Sequence, residues 1–137
     1  MTERAIERTL EFKAAVDRVW KAVTDPVELS RWFGDTTELD LRPGGDGAFS
    51  WENHGRYAVR VEEVSAPNRI VWSWVHEPGV SFEEAPSTRV EWTLSAREGG
   101  GTTLHLRESG FLTDQHQGEN IQGWQAELTE LVQFLES

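Results

Sequence analysis

Apolar and polar residues alternate along most of the middle of the chain, which predicts a series of β-strands. The alternating segments are AIERTLEF (5–12), TTELDL (36–41), AFSWEN (48–53), GRYAVRVEEV (55–64), RIVWSWVHE (69–77), STRVEWTLSA (87–96) and TTLHLRES (102–109). Their connections are short and polar or rich in glycine, as in RPGGDG (42–47) and REGGG (97–101). Short connections favour antiparallel pairing of consecutive strands.

Helical spacing appears at two places. After the first strand, one stripe at helical spacing consists of Val16, Val19, Trp20 and Val23. Asp25-Pro26 predicts the end of this short helix and the start of another, with Asp25 as its N-cap. From residue 119 to 136, one apolar stripe predicts a long helix. The stripe consists of Ile121, Trp124, Leu128, Leu131, Val132 and Leu135, and the residues predicted to face away are Gln122, Gln125, Glu127, Glu130 and Gln133.

These elements predict an α+β fold in which a curved antiparallel sheet of about seven strands wraps around the long C-terminal helix, with two short helices after the first strand. We expect one domain, residues 1–137, since no linker or repeat interrupts the chain. Because a twisted sheet cannot contact a straight helix along its whole concave face, a gap is expected at one end.

The segment RIVWSWVHE places Trp72, Trp74 and His76 on one face of a strand. Seven Trp and six Phe accompany a single Tyr, so the apolar side chains of this protein are large and mostly aromatic. Such side chains must either fill the expected gap or line it.

The charge balance excludes some classes of function. With 24 acidic and 13 basic residues, the formal net charge is −11, which disfavours binding to nucleic acid and to anionic membrane surfaces. The chain has no Cys, and its N-terminus lacks the apolar segment of a signal peptide. No segment approaches the roughly 20 apolar residues of a membrane span. We therefore expect a cytoplasmic protein.

Several segments in this order resemble the SRPBCC or START-like superfamily of helix-grip proteins, and within it the branch similar to the activator of the ninety-kilodalton heat-shock chaperone's ATPase. The segments are VWKAVTDPVELSRWF (19–33), RPGGDGAF (42–49), PNRIVWSW (67–74), STRVEWTLSA (87–96), GTTLHLRESGF (101–111) and GWQAELTELVQFL (123–135). Ala14-Ala15 departs from the family, which often has a Pro there.

The resemblance implies a hydrophobic ligand cavity under the long helix, and we expect a small hydrophobic ligand, aromatic or polycyclic, to bind there. The predicted lining consists of Trp32, Phe33, Phe49, Trp51, Tyr57, Trp72, Trp74, His76, Phe82, Trp92, Glu108, Phe111, Trp124 and Leu128. One alternative is an enzyme of cyclase or dehydratase type that uses the same cavity. Another is a co-chaperone-like surface, which we disfavour because the chaperone activator is a longer chain. A free sheet edge or an exposed Trp also leaves a homodimer open.

Three residues are weak candidates for acid–base chemistry, each with a structural alternative. His76 lies at the cavity mouth or is a solvated strand end. Glu108 follows the inward parity of its strand, where burial would raise its pKa, or it is exposed. Tyr57 contacts the ligand or belongs to the core with one hydrogen bond. Gly123, beside Trp124, indicates either close packing of the helix on the sheet or room for a ligand, and we favour packing.

No metal or cofactor is predicted. The four His show no ligand spacing, and RPGGDG joins two strands without a following helix or Lys, so it indicates a turn and not a phosphate loop. The loop EPGVSFEEAPS (77–87), which contains Phe82, is either a lid over the cavity or a solvated connection.

Overall fold

The computed structural model describes residues 4–136 and has the predicted α+β helix-grip architecture. Residues 1–3 and 137 of the predicted domain lie outside the described residues. The strands are β1 (Ala5–Phe12), β2 (Thr36–Leu39), β3 (Asp46–Trp51), β4 (Gly55–Ser65), β5 (Arg69–Val75), β6 (Ser87–Ala96) and β7 (Thr102–Ser109). The helices are α1 (Val16–Thr24), α2 (Pro26–Trp32) and α3 (Asp114–Glu136), and a short 3₁₀ helix spans Phe82–Glu84.

The strands form one antiparallel sheet in the order β1-β7-β6-β5-β4-β3-β2. From β2 to β7 each strand pairs with the next, and β1 returns to the edge beside β7, with Ile6 opposite Glu108. The register shifts between Val61 and Glu63 in β4, a bulge that increases the local twist of the sheet. The predicted meander is therefore confirmed.

Helix α1 ends and helix α2 begins where the sequence predicts. The Asp25 carboxylate accepts a hydrogen bond from the backbone N–H of Val27 at 2.9 Å, and Pro26 occupies the first turn of α2. The indole Nε1 of Trp32 donates to the carbonyl of Ala22 at 2.7 Å, which ties α2 to α1. Phe33 follows directly as the C-cap of α2.

Helix α3 is longer than predicted, since it begins at Asp114 and not at 119. Trp124, Leu128 and Leu131 are its buried residues, as the stripe predicted. Val132 is exposed, so its assignment to the buried stripe was wrong. One residue step turns a helix by about 100°, which places Val132 at the border of a stripe centred on Leu131.

The core lies between the concave face of the sheet and the three helices. Its largest fully buried side chains include Phe12, Phe33, Phe49, Trp72 and Trp92. Within the described range, none of the helices has the length and apolar character needed to cross a lipid bilayer.

Candidate functional site

An open cavity of about 550 Å³ lies between the β3–β5 part of the sheet and α3. It is lined by Phe33, Trp51, His54, Tyr57, Trp74, His76, His116, Glu119, Asn120, Gly123, Trp124 and Glu127. The predicted gap is therefore present, and it carries both aromatic and polar side chains.

The aromatic wall is a continuous set of ring contacts from strand to helix. Phe33 stacks on Trp124, with centroids 5.5 Å apart and planes inclined by 16°. Trp51 meets Tyr57 at 5.8 Å and Trp74 at 6.1 Å, and both contacts are strongly inclined. Trp51, Tyr57 and Trp74 are only half-buried, so each ring keeps a surface accessible from the cavity.

The structure divides thirteen of the fourteen predicted lining residues into three groups. Six line the cavity: Phe33, Trp51, Tyr57, Trp74, His76 and Trp124. Five lie in the core away from it: Trp32, Phe49, Trp72, Trp92 and Leu128. Glu108 and Phe111 are buried behind the lining residues. The alternation of strand residues identified the inward face, but it did not distinguish the filled part of the core from the open end.

Phe82 lies on the opposite side of the sheet. The guanidinium of Arg60 stands 4.5 Å from the centre of the Phe82 ring, and Arg60 also pairs with Glu83 of the same loop. Arg60 alternates along β4 with the inward Val59 and Val61, so its side chain points away from the cavity. The loop 77–87 is thus held against the convex face, and a lid function for Phe82 is not supported.

Glu108 is fully buried, and its carboxylate accepts hydrogen bonds from several elements. Trp74 Nε1 donates to Oε2 at 2.8 Å, and Trp124 Nε1 donates to Oε1 at 2.7 Å. The Thr88 hydroxyl donates at 2.5 Å and the Asn120 amide at 3.0 Å. The carboxylate therefore connects strands β5, β6 and β7 to helix α3.

The predicted rise in the pKa of Glu108 was wrong. Burial does oppose the charged form, but the neighbouring donors His76, Thr88, Trp74 and Trp124 outweigh it and lower the pKa. Glu108 is consequently an ionised carboxylate behind the aromatic wall. Sequence reasoning found the burial and missed the donors, because they come from three distant segments.

His76 connects Glu108 to the cavity. Its Nε2 lies 2.6 Å from the Thr88 hydroxyl and 3.5 Å from Glu108 Oε2. Since the single hydroxyl proton of Thr88 is donated to Glu108, Nε2 of His76 must be the donor in the bond to Thr88. His76 therefore carries a proton on Nε2, and its other ring nitrogen, Nδ1, takes no part in the contacts with Thr88 and Glu108.

A second histidine, which sequence reasoning did not select, packs against the first. The rings of His76 and His116 are 3.9 Å apart, and Phe111 contacts His116 at 4.9 Å. Burial and the neighbouring His76 lower the pKa of His116. Three of the four His line the cavity, yet within residues 4–136 no group of three His, Asp or Glu is arranged to hold a metal ion.

Glu127 was predicted to face away from the sheet, and that prediction was wrong. It lines the cavity because it is three positions, about 60°, from Trp124 around the helix. Burial raises its pKa to about 7, with further increases from the charges of Glu130 and Asp35, although a hydrogen bond from Trp51 partly opposes them.

Gly123 also differs from its prediction. A Cβ atom built on Gly123 meets nothing within 4 Å, so no strand packs closely against it. Gly123 instead lies on the cavity surface, where its missing side chain leaves space.

Tyr57 combines the two roles that were considered for it: it lines the cavity, and its hydroxyl donates a hydrogen bond to the carbonyl of His54 at 3.1 Å.

Comparison with known proteins gives a consistent result for the fold. The family model described as activator of Hsp90 ATPase homolog 1-like protein matches residues 13–136. CalU16 from Micromonospora echinospora is 33% identical, with a TM-score of 0.76 over 96% of this chain and 75% of that chain. No curated protein sequence matches the chain.

Two less similar structures share the fold. DynU16, a protein in the dynemicin biosynthetic locus, is 24% identical, with a TM-score of 0.83. The alignment covers 99% of this chain but only 48% of DynU16, so the chain spans about half the length of that protein. PFC0360w, an Hsp90 activator from Plasmodium falciparum, is 20% identical with a TM-score of 0.73, over 93% of this chain and 92% of that chain.

Proposed function

The chain belongs to the family of activator of Hsp90 ATPase homolog 1-like proteins, and on that premise we propose that its cavity binds a small hydrophobic ligand with an aromatic or polycyclic body. The observation that carries the proposal is the open space of about 550 Å³ beside Phe33, Trp51, Trp74 and Trp124. A volume in the range of 300–1,000 Å³ is typical of small-molecule sites.

The open end of the cavity supports the proposal physically. The half-buried rings of Trp51, Tyr57 and Trp74 keep accessible faces, which can stack on a ligand ring and remove both surfaces from water. The wall is held in place before any ligand arrives, because Glu108 fixes the indoles of Trp74 and Trp124. Such preorganisation lowers the entropic cost of binding.

Tryptophan fluorescence tests the proposal directly, since Trp51, Trp74 and Trp124 line the cavity. We expect saturable quenching by members of a panel of aromatic and polycyclic compounds. Flat titrations across the whole panel would contradict ligand binding.

A matched pair of variants locates the binding site. Gly123→Phe places a ring in the cavity, whereas Gly118→Phe places the same ring on the same helix outside the lining, and neither Cβ meets an atom within 4 Å. We expect Gly123→Phe to abolish quenching and Gly118→Phe to retain it. Equal affinity in both variants would place the ligand elsewhere.

A second candidate function is an enzyme of cyclase or dehydratase type, favoured by the orientation of His76 by Thr88 and Glu108. A histidine with one nitrogen held by a hydrogen bond and the ring at a cavity surface suits general acid–base catalysis. Glu108 itself does not line the cavity, so it would act through His76 as a positioning residue. Conversion of a bound compound by the wild type and not by His76→Gln would support this function; equal turnover would remove it.

A chaperone partner rests on the family description alone. The Hsp90 activator from P. falciparum is matched over 92% of its solved chain, so the length of the present chain is no argument against such a partner. A pull-down with purified Hsp90 tests it, and enrichment that persists in Gly123→Phe would separate a protein-binding role from the cavity.

A further inference from the structure

The cavity offers negative charge and no permanent positive charge. Among the described residues, no Lys or Arg lines it, whereas Glu119 and Glu127 do. Ionised Glu108 lies directly behind Trp74 and Trp124. The net charge of −11 adds a field of the same sign. An anionic ligand would be repelled at this site.

The surroundings of Glu127 disfavour the negative charge of its carboxylate. It is half-buried, and the charges that act on it most strongly, Glu130 and Asp35, are also acidic. The indole of Trp51, which partly opposes this effect on the pKa of Glu127, is a neutral group. A half-buried carboxylate beside a neutral indole and two acidic groups gains from a cationic partner.

Three rings of the cavity that Glu127 lines form a corner, with their faces in three directions. Trp51, Tyr57 and Trp74 have centroids 5.8–6.3 Å apart, and their planes are inclined to each other by 53–70°. The Tyr57 hydroxyl is already bonded to the His54 carbonyl, so the ring contributes its face and not its polar tip. Aromatic faces at such angles attract a cation placed between them.

We propose that the ligand of this cavity is a hydrophobic amine, whose protonated nitrogen lies against the rings of Trp51 and Tyr57 and donates a hydrogen bond to Glu127. This inference rests on the proposed ligand-binding function and specifies its ligand class. The aromatic or polycyclic body then extends toward Phe33, Trp74 and Trp124, while the ammonium supplies the positive charge that the protein does not provide.

Three probes of nearly equal shape test the charge preference by isothermal titration calorimetry near neutral pH: naphthylethylamine, naphthylethanol and naphthylacetate. We expect the amine to bind about tenfold more tightly than the alcohol, from one charged hydrogen bond and a cation–π contact. The acetate should bind most weakly.

Variants of α3 assign the preference to one residue. Glu127→Gln should reduce the advantage of the amine over the alcohol to less than about threefold. Glu130→Gln, which removes a nearby charge outside the lining, should retain most of it. Retention of the full preference in Glu127→Gln would overturn the assignment.

Proton release gives an independent measurement. Binding a cation beside a partly protonated Glu127 should expel a fraction of a proton near neutral pH, which titrations in buffers of different ionisation enthalpy detect. The other titratable groups that face this region are Asp35, Glu119, Glu130, His54, His76 and His116. If the variant Glu127→Gln releases fewer protons on binding than the wild type, the difference is due to Glu127. Equal proton release by the variant and the wild type would contradict the proposal.

The outcomes separate this inference from the proposed function. Equal affinity for amine and alcohol, or preference for the acetate, overturns the inference and leaves ligand binding intact. Failure of all three probes to bind overturns the inference, whereas the proposed function is decided separately by the fluorescence titrations with the whole compound panel. Tight binding of the amine that Gly123→Phe leaves unchanged also overturns the inference, since it places the amine outside the cavity.

Discussion

The indole Nε1 of Trp124 donates to Oε1 of Glu108 over 2.7 Å, which joins a wall of the cavity on α3 to a carboxylate on β7. Trp74 of β5 binds the other oxygen of the same carboxylate at 2.8 Å. One buried anion therefore fixes two rings of the cavity wall from opposite sides. The stability of the fold and the shape of the site depend on the same group.

Replacing Glu108 with Gln should lower the free energy of unfolding by about 2 kcal/mol or more. The amide nitrogen of Gln cannot accept a bond, so it would face the donors of Trp74 or Trp124. Urea unfolding measures the loss. Glu11→Gln, at an exposed ion pair with Arg97, should change stability by less than about 1 kcal/mol; similar losses in both variants would contradict the role of Glu108.

Because the pKa of Glu108 is lowered in the folded state, its contribution to the free energy of unfolding depends on pH. Its ordinary pKa is 4.5 and its folded-state pKa is lower, so the unfolded state binds more protons between the two values. The contribution is fully present above pH 4.5 and is lost as the pH falls toward the folded-state pKa. Acid titration of stability should therefore be shallower for Glu108→Gln than for the wild type.

Two fully buried tryptophans should respond differently to the same substitution. The indole nitrogen of Trp124 binds Glu108, whereas that of Trp92 has no hydrogen-bond partner among the described residues. Both Phe variants leave a void, but only Trp124→Phe deprives a carboxylate of a donor. We expect Trp124→Phe to cost about 1–3 kcal/mol more than Trp92→Phe in chemical denaturation, and the reverse order would contradict the account.

Glu127 should make the protein less stable as the pH rises. Because its folded-state pKa is raised from 4.5 to about 7, the folded state binds more protons in that interval, and stability falls across it. Glu127→Gln should therefore be more stable than the wild type at about pH 8 and nearly equal to it near pH 4.5. Thermal unfolding at both pH values checks this, and a difference independent of pH would refute it.

Alanine at Gly123 should stabilise the free protein. Its Cβ meets no atom within 4 Å, so the gain in helix propensity, about 0.5–1 kcal/mol, is not offset by a clash. Gly118→Ala, on the same helix with equally open space, should give a similar gain. Destabilisation confined to Gly123→Ala would mean that the space beside it is not open.

Particular residues show how far the pattern alone could predict the site. Strand alternation placed Trp74 and His76 on the inward face, and the structure finds both at the cavity. The same alternation placed Trp72 there, yet Trp72 is in the filled core. Alternation determines which face a side chain occupies but not how far along the strand the helix covers that face.

The residues that sequence reasoning missed share one property. They lie in a turn or on the flanks of helix α3, where no periodic signal marks them, and they are brought together only in the folded chain: His54, His116, Glu119, Asn120 and Glu127. A wider view of the α3 surface, beyond the apolar stripe, could have found Glu127, since it is adjacent to Trp124 around the helix.

The sequence by itself determined the strands, the helices, their order and the inward face of the strands, because these follow from local periodicity and from turn and cap residues. Only the tertiary structure decided which rings border the open end, that Glu108 is ionised and that Glu127 lines the cavity together with Trp51. Those properties depend on hydrogen bonds, packing and charge interactions between segments that are far apart in the chain. The alternation of apolar and polar residues is a local pattern and does not predict them.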